Sequence, residues 1–173
     1  MNTTEILALL KSAQPEAYLG PQGIKLITDE SAIEKAQIGY SIDKNGANLT
    51  SSQQGAWQRH WLVIAKDTEL GDPYYVELNN AALPVYTAIF NESTNQWQTT
   101  LVATSLAGFI ESIDLLFHFT EQREPKFIAD STAIFDLEKL ETFGMQLANI
   151  SENMDFWKGF FISYVEWLQD ENV

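Results

Sequence analysis

The chain has 173 residues, 45% of them hydrophobic and 12% aromatic, and its ten basic and twenty-four acidic side chains give a net charge of −14. That length suits one domain of ordinary size, and five Trp, six Tyr and ten Phe exclude a disordered polar chain. The lack of Cys excludes disulfide scaffolds, thiolate nucleophiles and cysteine-ligated metal centres, while the acidity argues against nucleic acid, whose phosphates need more basic surface than Arg59, Arg123 and eight Lys supply.

Thr3 and Thr4 precede Glu5, and Ile6, Leu9, Leu10 and Ala13 then recur at helical spacing, which predicts a capped helix over 4–13 that Pro15 ends. Glu5 stands where a secretory leader carries Lys or Arg, and no window approaches the ~20 apolar residues of a membrane span. The expected compartment is therefore the cytoplasm, where the glycosylation tripeptides at Asn48 and Asn91 have no meaning. Residues 14–23, with two Pro and two Gly, read as a surface connection. Asp29 predicts the cap of a short helix through Glu30, Ile33 and Ala36. Residues 39–55 are polar, with a turn at Lys44-Asn45-Gly46, and carry no clear periodicity.

The period then changes to that of strands. The runs 61–65, 74–78, 85–90 and 97–102 are aromatic and β-branched, with turn residues between them at Gly71-Asp72-Pro73, at Asn79-Asn80 with Pro84, and over 91–95. Connections this short leave no room for helical crossovers, so the strands are expected to form an antiparallel meander. Gly71 supplies positive φ, Asp72 is expected to accept backbone N–H bonds in the turn, and Pro73 starts the next strand.

Leu106, Phe109, Ile110, Ile113, Leu116 and Phe117 make the apolar stripe of the clearest helix. A linker around Pro125 follows, then a third helical pattern through Ile134, Leu137, Leu140, Phe143 and Leu147. Ser151 is expected to cap a last helix, with Glu152 and Asp155 near its positive end. That helix carries one apolar row at Trp157, Phe161, Tyr164 and Leu168 and another at Phe156, Phe160 and Trp167, so it is either deeply buried or shared with a second surface. The expected fold is α+β: an antiparallel sheet of four or more strands in a meander, flanked by helices, in one domain with its core over about 24–120 and a helical extension over 130–173.

Sets that could carry chemistry are sparse. Glu111, Asp114, His118 and Glu121 share one helical face, which offers three carboxylates and an imidazole to a metal, but a solvated polar face has the same pattern and no second element completes it. A metal-dependent hydrolase on these residues is the weakest of the functional alternatives. Two His, at 60 and 118, permit no zinc-protease motif, and His60 beside Trp61 reads as structural. There is no Gly-x-Ser-x-Gly and no phosphate-loop glycine pattern. The pairs Asp67 with Glu69, and Asp72 with Glu77, are more simply turn residues than an acid–base couple. Catalytic, cofactor and metal assignments are accordingly none.

Ile64-Ala65, then Gly71-Asp72-Pro73-Tyr74-Tyr75-Val76-Glu77-Leu78, Pro84-Val85-Tyr86, and Ala103-Thr104-Ser105-Leu106 with Phe109-Ile110 follow one another in an order that resembles the SUKH superfamily. That superfamily comprises fungal cell-wall-synthesis regulators and many bacterial immunity proteins. The likeness covers about 57–117 well and 24–38 weakly. The family's usual Leu-Pro before a helix ending in Asn-Gly is not recognisable, with Asn45-Gly46 as its remnant, and 130–173 extend beyond the common core. The resemblance implies an antiparallel sheet flanked by helices, no catalysis, and in bacterial members neutralisation of toxins, often nucleases.

The two lines of argument meet at charge: a toxin that binds nucleic acid is basic, and complementary charge speeds capture while aromatic anchors hold. An acidic surface also serves solubility alone. The expectation is a cytoplasmic immunity protein that binds a basic toxin domain, with a regulatory scaffold as the alternative. The expected contact residues are Glu152, Asp155, Trp157, Glu166, Trp167 and Asp170, and the competing use of that helix is a core or homodimer contact.

Overall fold

The computed structural model describes residues 1–170. Helix α1 (Thr3–Ser12) opens one residue earlier than the Thr pair suggests: Asn2 accepts the N–H of Glu5 at 2.9 Å, and the Glu5 carboxylate accepts the N–H of Asn2 at 2.8 Å. This reciprocal capping box satisfies two backbone donors at once. Residues 14–23 are not a surface connection. They hold β1 (Glu16–Leu19) and the start of β2 (Gln22–Leu26), a hairpin whose two-residue turn is Gly20-Pro21. Gly20 takes φ +64°, the left-handed value that the first position of a II′ turn needs, and Pro21 supplies the fixed negative φ that follows. Ala17, Tyr18 and Leu19 are buried, so hydrophobic burial secures a strand too short for sequence periodicity to reveal.

Asp29 caps α2 (Glu30–Ala36) through Ala32 N–H at 3.1 Å. Beyond it the buried Gln37 carboxamide donates to the Val63 carbonyl and accepts the Val63 N–H, both at 3.0 Å. A side-chain amide thus supplies the bonds that a neighbouring strand would give. After the irregular 38–60 segment come β3 (Trp61–Asp67), β4 (Pro73–Glu77), β5 (Val85–Asn91) and β6 (Gln96–Ala103). The six strands lie in chain order, each antiparallel to the next, which makes an α+β fold on one meander sheet.

Strand alternation gives the sheet two apolar faces. Tyr74 points to the helices, against Phe109 and Phe156, and burial pushes its phenol pKa far up. Its neighbour Tyr75 points the other way, stacked on Trp61 at 4.4 Å and on Tyr86 at 5.5 Å. On that second face Trp57 is buried among Tyr40, Trp61, Tyr75 and Trp97. The outer strand β6 is covered at both ends: Trp97 N–H donates to the Gly55 carbonyl at 2.7 Å, and the Asn153 side chain donates to the Leu101 carbonyl. Covering an edge in this way limits pairing with other chains.

Ser105 caps α3 (Leu106–Thr120), and Asp136 caps α4 (Leu137–Ser151). Residues 152 and 153 connect α4 to α5 (Met154–Asp170). Ser151 is therefore the last residue of α4 and not the cap of α5; Asn153 accepts the Asp155 N–H at 3.1 Å in that place. The buried set does not divide at residue 24 or at 120. Ile6, Leu10, Ala17 and Leu19 share one cluster with Phe109, Phe143, Leu147, Trp157 and Tyr164. Gly108 lets α3 meet the end of α4, since a Cβ there would lie 2.6 Å from the Ile150 carbonyl oxygen.

Candidate docking groove between the last two helices

The residues singled out in the sequence do not converge on one catalytic set. Among the described residues, no three His, Asp or Glu side chains come together as a group able to hold a metal ion. Asp114 is turned to the N-terminal segment, where it accepts the Gln14 N–H at 2.7 Å. Glu111, His118 and Glu121 are exposed, and Glu121 ends α3 in the left-handed region. His60 lies just before β3, with Nε2 3.3 Å from Glu77 Oε1.

At the Gly71 turn the structure reassigns one role. Gly71 takes φ +79° and Pro73 begins β4, but the capping carboxylate is that of Asp67, which accepts the N–H groups of Glu69 at 2.9 Å and Leu70 at 2.5 Å. Asp72 contributes its backbone carbonyl to the Asp67 N–H at 2.8 Å. Partial burial, with Asp67 nearby, pushes the Asp72 carboxyl above its ordinary pKa.

The six expected contact residues scatter around α5. Trp157 is fully buried, and its indole N–H donates to Ser151 Oγ at 2.9 Å, so it is a core side chain and not an exposed anchor. Trp167 is half-buried against Tyr164, and both close over Gly20. Glu152 caps α4 at φ +53° and accepts the Thr104 hydroxyl proton at 2.8 Å. Asp155 and Asp170 are exposed at opposite ends of α5. Two of the six border one concave surface, Glu166 at its rim and Trp157 in its floor.

That surface is an apolar groove of about 520 Å³ between α4 and α5. The helix hairpin builds it: α5 returns alongside α4, Phe161 meets Phe143 edge-on at 6.0 Å, and Gly144 faces the Phe161 ring, where a Cβ would lie 3.5 Å from it. Trp157, Phe161, Leu140 and Ala148 form its buried floor. Its walls are apolar and open to solvent, with Leu137 58%, Met145 55%, Met154 59% and Ile162 47% exposed. Glu141 and Glu166 stand on the rim with Lys158. Solvent-exposed apolar side chains gathered in one rimmed concavity mark an interaction surface, whereas the same residues scattered singly do not.

Sequence reasoning missed Leu137, Met145, Met154 and Ile162. For Met154 and Ile162 the signal was a third row on the last helix, Met154, Lys158, Ile162 and Val165 at helical spacing, beside the two rows that were read; for Leu137 and Met145 it was the row Leu137, Glu141 and Met145 on the helix before it. A polar cleft of about 370 Å³ lies near the end of α3, lined by Gln122, Arg123, Lys126 and Tyr164. Its groups bind one another: Gln122 donates to the Gly20 and Glu124 carbonyls at 2.6 and 2.7 Å, and Lys126 bridges Asp130 and Thr132. Hydrogen bonds from Thr132 and Lys126 hold the Asp130 carboxyl down at about 2.

Comparison with protein-family models, with curated proteins and with solved structures returns no match in any of the three.

Proposed function

We propose that this protein acts by binding, as an immunity-type inhibitor of a basic toxin domain, and that the α4–α5 groove is its contact surface. The observation that carries the reading is the coincidence of an exposed apolar groove with a strongly acidic setting. Residues 136–170 hold seven acidic and two basic side chains, a net charge of −5 in a chain of −14. Apolar walls of Met, Leu and Ile supply affinity, and the acidic surroundings steer a basic partner and disfavour an acidic one. The ordered Gly71-to-Phe109 pattern that resembles the SUKH superfamily supports the same class.

The test is co-expression with a basic nuclease domain encoded beside the chain's own gene. Cells carrying both are expected to grow, and the purified nuclease is expected to lose activity at one equivalent of this protein. Undiminished nuclease activity in a stoichiometric excess would overturn the reading. Capture of a cell-wall or signalling protein at equal stoichiometry would replace it with the regulatory-scaffold alternative.

A further inference from the structure

The groove's shape and rim constrain what enters it. Two side-by-side helices present ridges at i, i+4 spacing from both walls, and the element that fits such a furrow is a third helix with anchors at about i, i+4 and i+7. Leu137, Glu141 and Met145 run along one wall toward Ala148 in the floor, and Met154, Lys158, Ile162 and Val165 line the other. Each wall spans about 12 residues of helix, or roughly 17 Å, enough for three turns of an occupant. The walls carry two thioethers, whose flexible, polarisable side chains adapt to the anchors of a docking helix.

Charge selects between candidate occupants. A second copy of this chain, related by two-fold symmetry, would bring two Glu141 and two Glu166 to one interface with only two Lys158 between them. Glu138, Glu152 and Asp155, exposed elsewhere on the same helix hairpin, add to its negative charge. A helix with an apolar stripe flanked by Lys and Arg meets one rim carboxylate on each side, Glu141 and Glu166, against the single like charge of Lys158.

We infer that the α4–α5 groove docks one amphipathic, basic α-helix of the partner, lying as a third helix between the exposed walls of α4 and α5. The inference rests on the binding-domain reading and specifies how the partner engages.

The chain's methionines make the test direct, because Met145 and Met154 line opposite walls and Met1 lies outside the groove. Methyl-labelled full-length protein is titrated with a synthetic helical peptide carrying a leucine stripe and Lys/Arg flanks, and with a twin in which every basic residue is Glu. The Met145 and Met154 methyl signals are expected to shift with the basic peptide while Met1 stays in place. The acidic twin is expected to bind about tenfold or more weakly, and the basic peptide to weaken between about 0.05 and 0.5 M salt. Saturable binding without movement of Met145 and Met154, equal affinity for the acidic twin, or no binding of either peptide would overturn the inference. So would concentration-dependent dimerisation, without peptide, that moves the same two methyls.

Exposed-site variants Met145→Glu and Ile162→Glu, confirmed as folded by circular dichroism, separate this inference from the inhibitor reading. A toxin neutralised as well by both variants as by the parent chain overturns the docking mode, and the groove as contact surface with it, and leaves the inhibitor reading intact. Peptide-induced shifts in the parent chain support the docking mode, even where no nuclease is neutralised, when the Met154 shift is lost in both variants and the Met145 shift is lost in Ile162→Glu.

Discussion

Replacing Gly108 with Ala tests the packing that sets α4, and with it the groove, on the sheet. A methyl carbon at this position lies 2.6 Å from the Ile150 carbonyl oxygen and 3.2 Å from Ser105 Oγ. The first is backbone in the last turn of α4 and cannot swing aside as a side-chain end can. The second already accepts the Gly108 N–H at 3.1 Å, so movement there disturbs the cap of α3. Overpacking of this kind costs about 1–3 kcal/mol. Against it stands the helix-propensity gain of roughly 0.5–1 kcal/mol, at its lower end because Gly108 lies in the first turn. The expected net loss is about 1–2 kcal/mol, and for a domain of this length that lowers Tm by about 2–8 °C.

Gly159→Ala is the matched control. No neighbouring atom lies within 4 Å of its added methyl, so the propensity term acts alone and raises stability by roughly 0.5–1 kcal/mol. Thermal unfolding followed by circular dichroism, with urea midpoints alongside, reads both variants. If Gly108→Ala matches the parent chain or moves in the same direction as Gly159→Ala, the close approach of α3 to Ile150 is wrong.

Three further outcomes follow from polar groups. Ser151→Ala removes the hydroxyl that accepts the Trp157 indole N–H and donates to the Leu147 carbonyl at 2.8 Å; the orphaned indole is expected to cost about 1–3 kcal/mol in urea unfolding, and an unchanged midpoint would deny that bond. Asp72 has a folded-state pKa raised by burial and by Asp67, so the folded form holds its proton more tightly than the unfolded chain and the ionised form is a liability above the ordinary Asp range. Asp72→Asn is accordingly expected to raise stability at pH 7 and to lose that advantage near pH 3, and equal effects at both pH values would contradict the assignment. Asp130, held at about 2, has the opposite sign: its interactions with Lys126 and Thr132 persist above the ordinary carboxylate range and are lost as pH falls toward 2. Carboxyl-carbon NMR of Asp130 is expected to titrate near 2, and a midpoint at the ordinary value of about 3.9 would remove the Lys126 knot from the account.

The parts of the fold legible in the sequence are those where one signal dominates. Strands β3 to β6 are strand-length runs of aromatic and β-branched residues set between turn residues, and α2 and α3 carry both a cap and a stripe. The β1–β2 hairpin was hidden because strands of four and five residues hold too few alternations, and Gly20-Pro21 looks alike in a loop and in a two-residue turn. Ser151 precedes acidic residues as an N-cap does, yet its hydroxyl lies inside the helix hairpin, where Trp157 needs an acceptor.

The candidate site was legible only in outline. A helix apolar on two sides announces a shared surface but does not say which row faces inward, and tertiary packing put Trp157 in the core and left Met154 and Ile162 outside. The groove itself needs α4 beside α5, with Gly144 opposite Phe161, a pairing that no single-helix pattern contains.

The most direct test of the account places a photo-crosslinking residue at Met145 in the full chain, and a second, as control, at the exposed Gln98 of β6. Irradiation in the native cells followed by mass mapping of the adduct is predicted to give one basic protein, joined through an amphipathic helix, at position 145 and not at 98. Adducts at 98 in place of 145, or an acidic protein or a second copy of this chain at 145, would contradict the claim that the α4–α5 groove receives a basic partner.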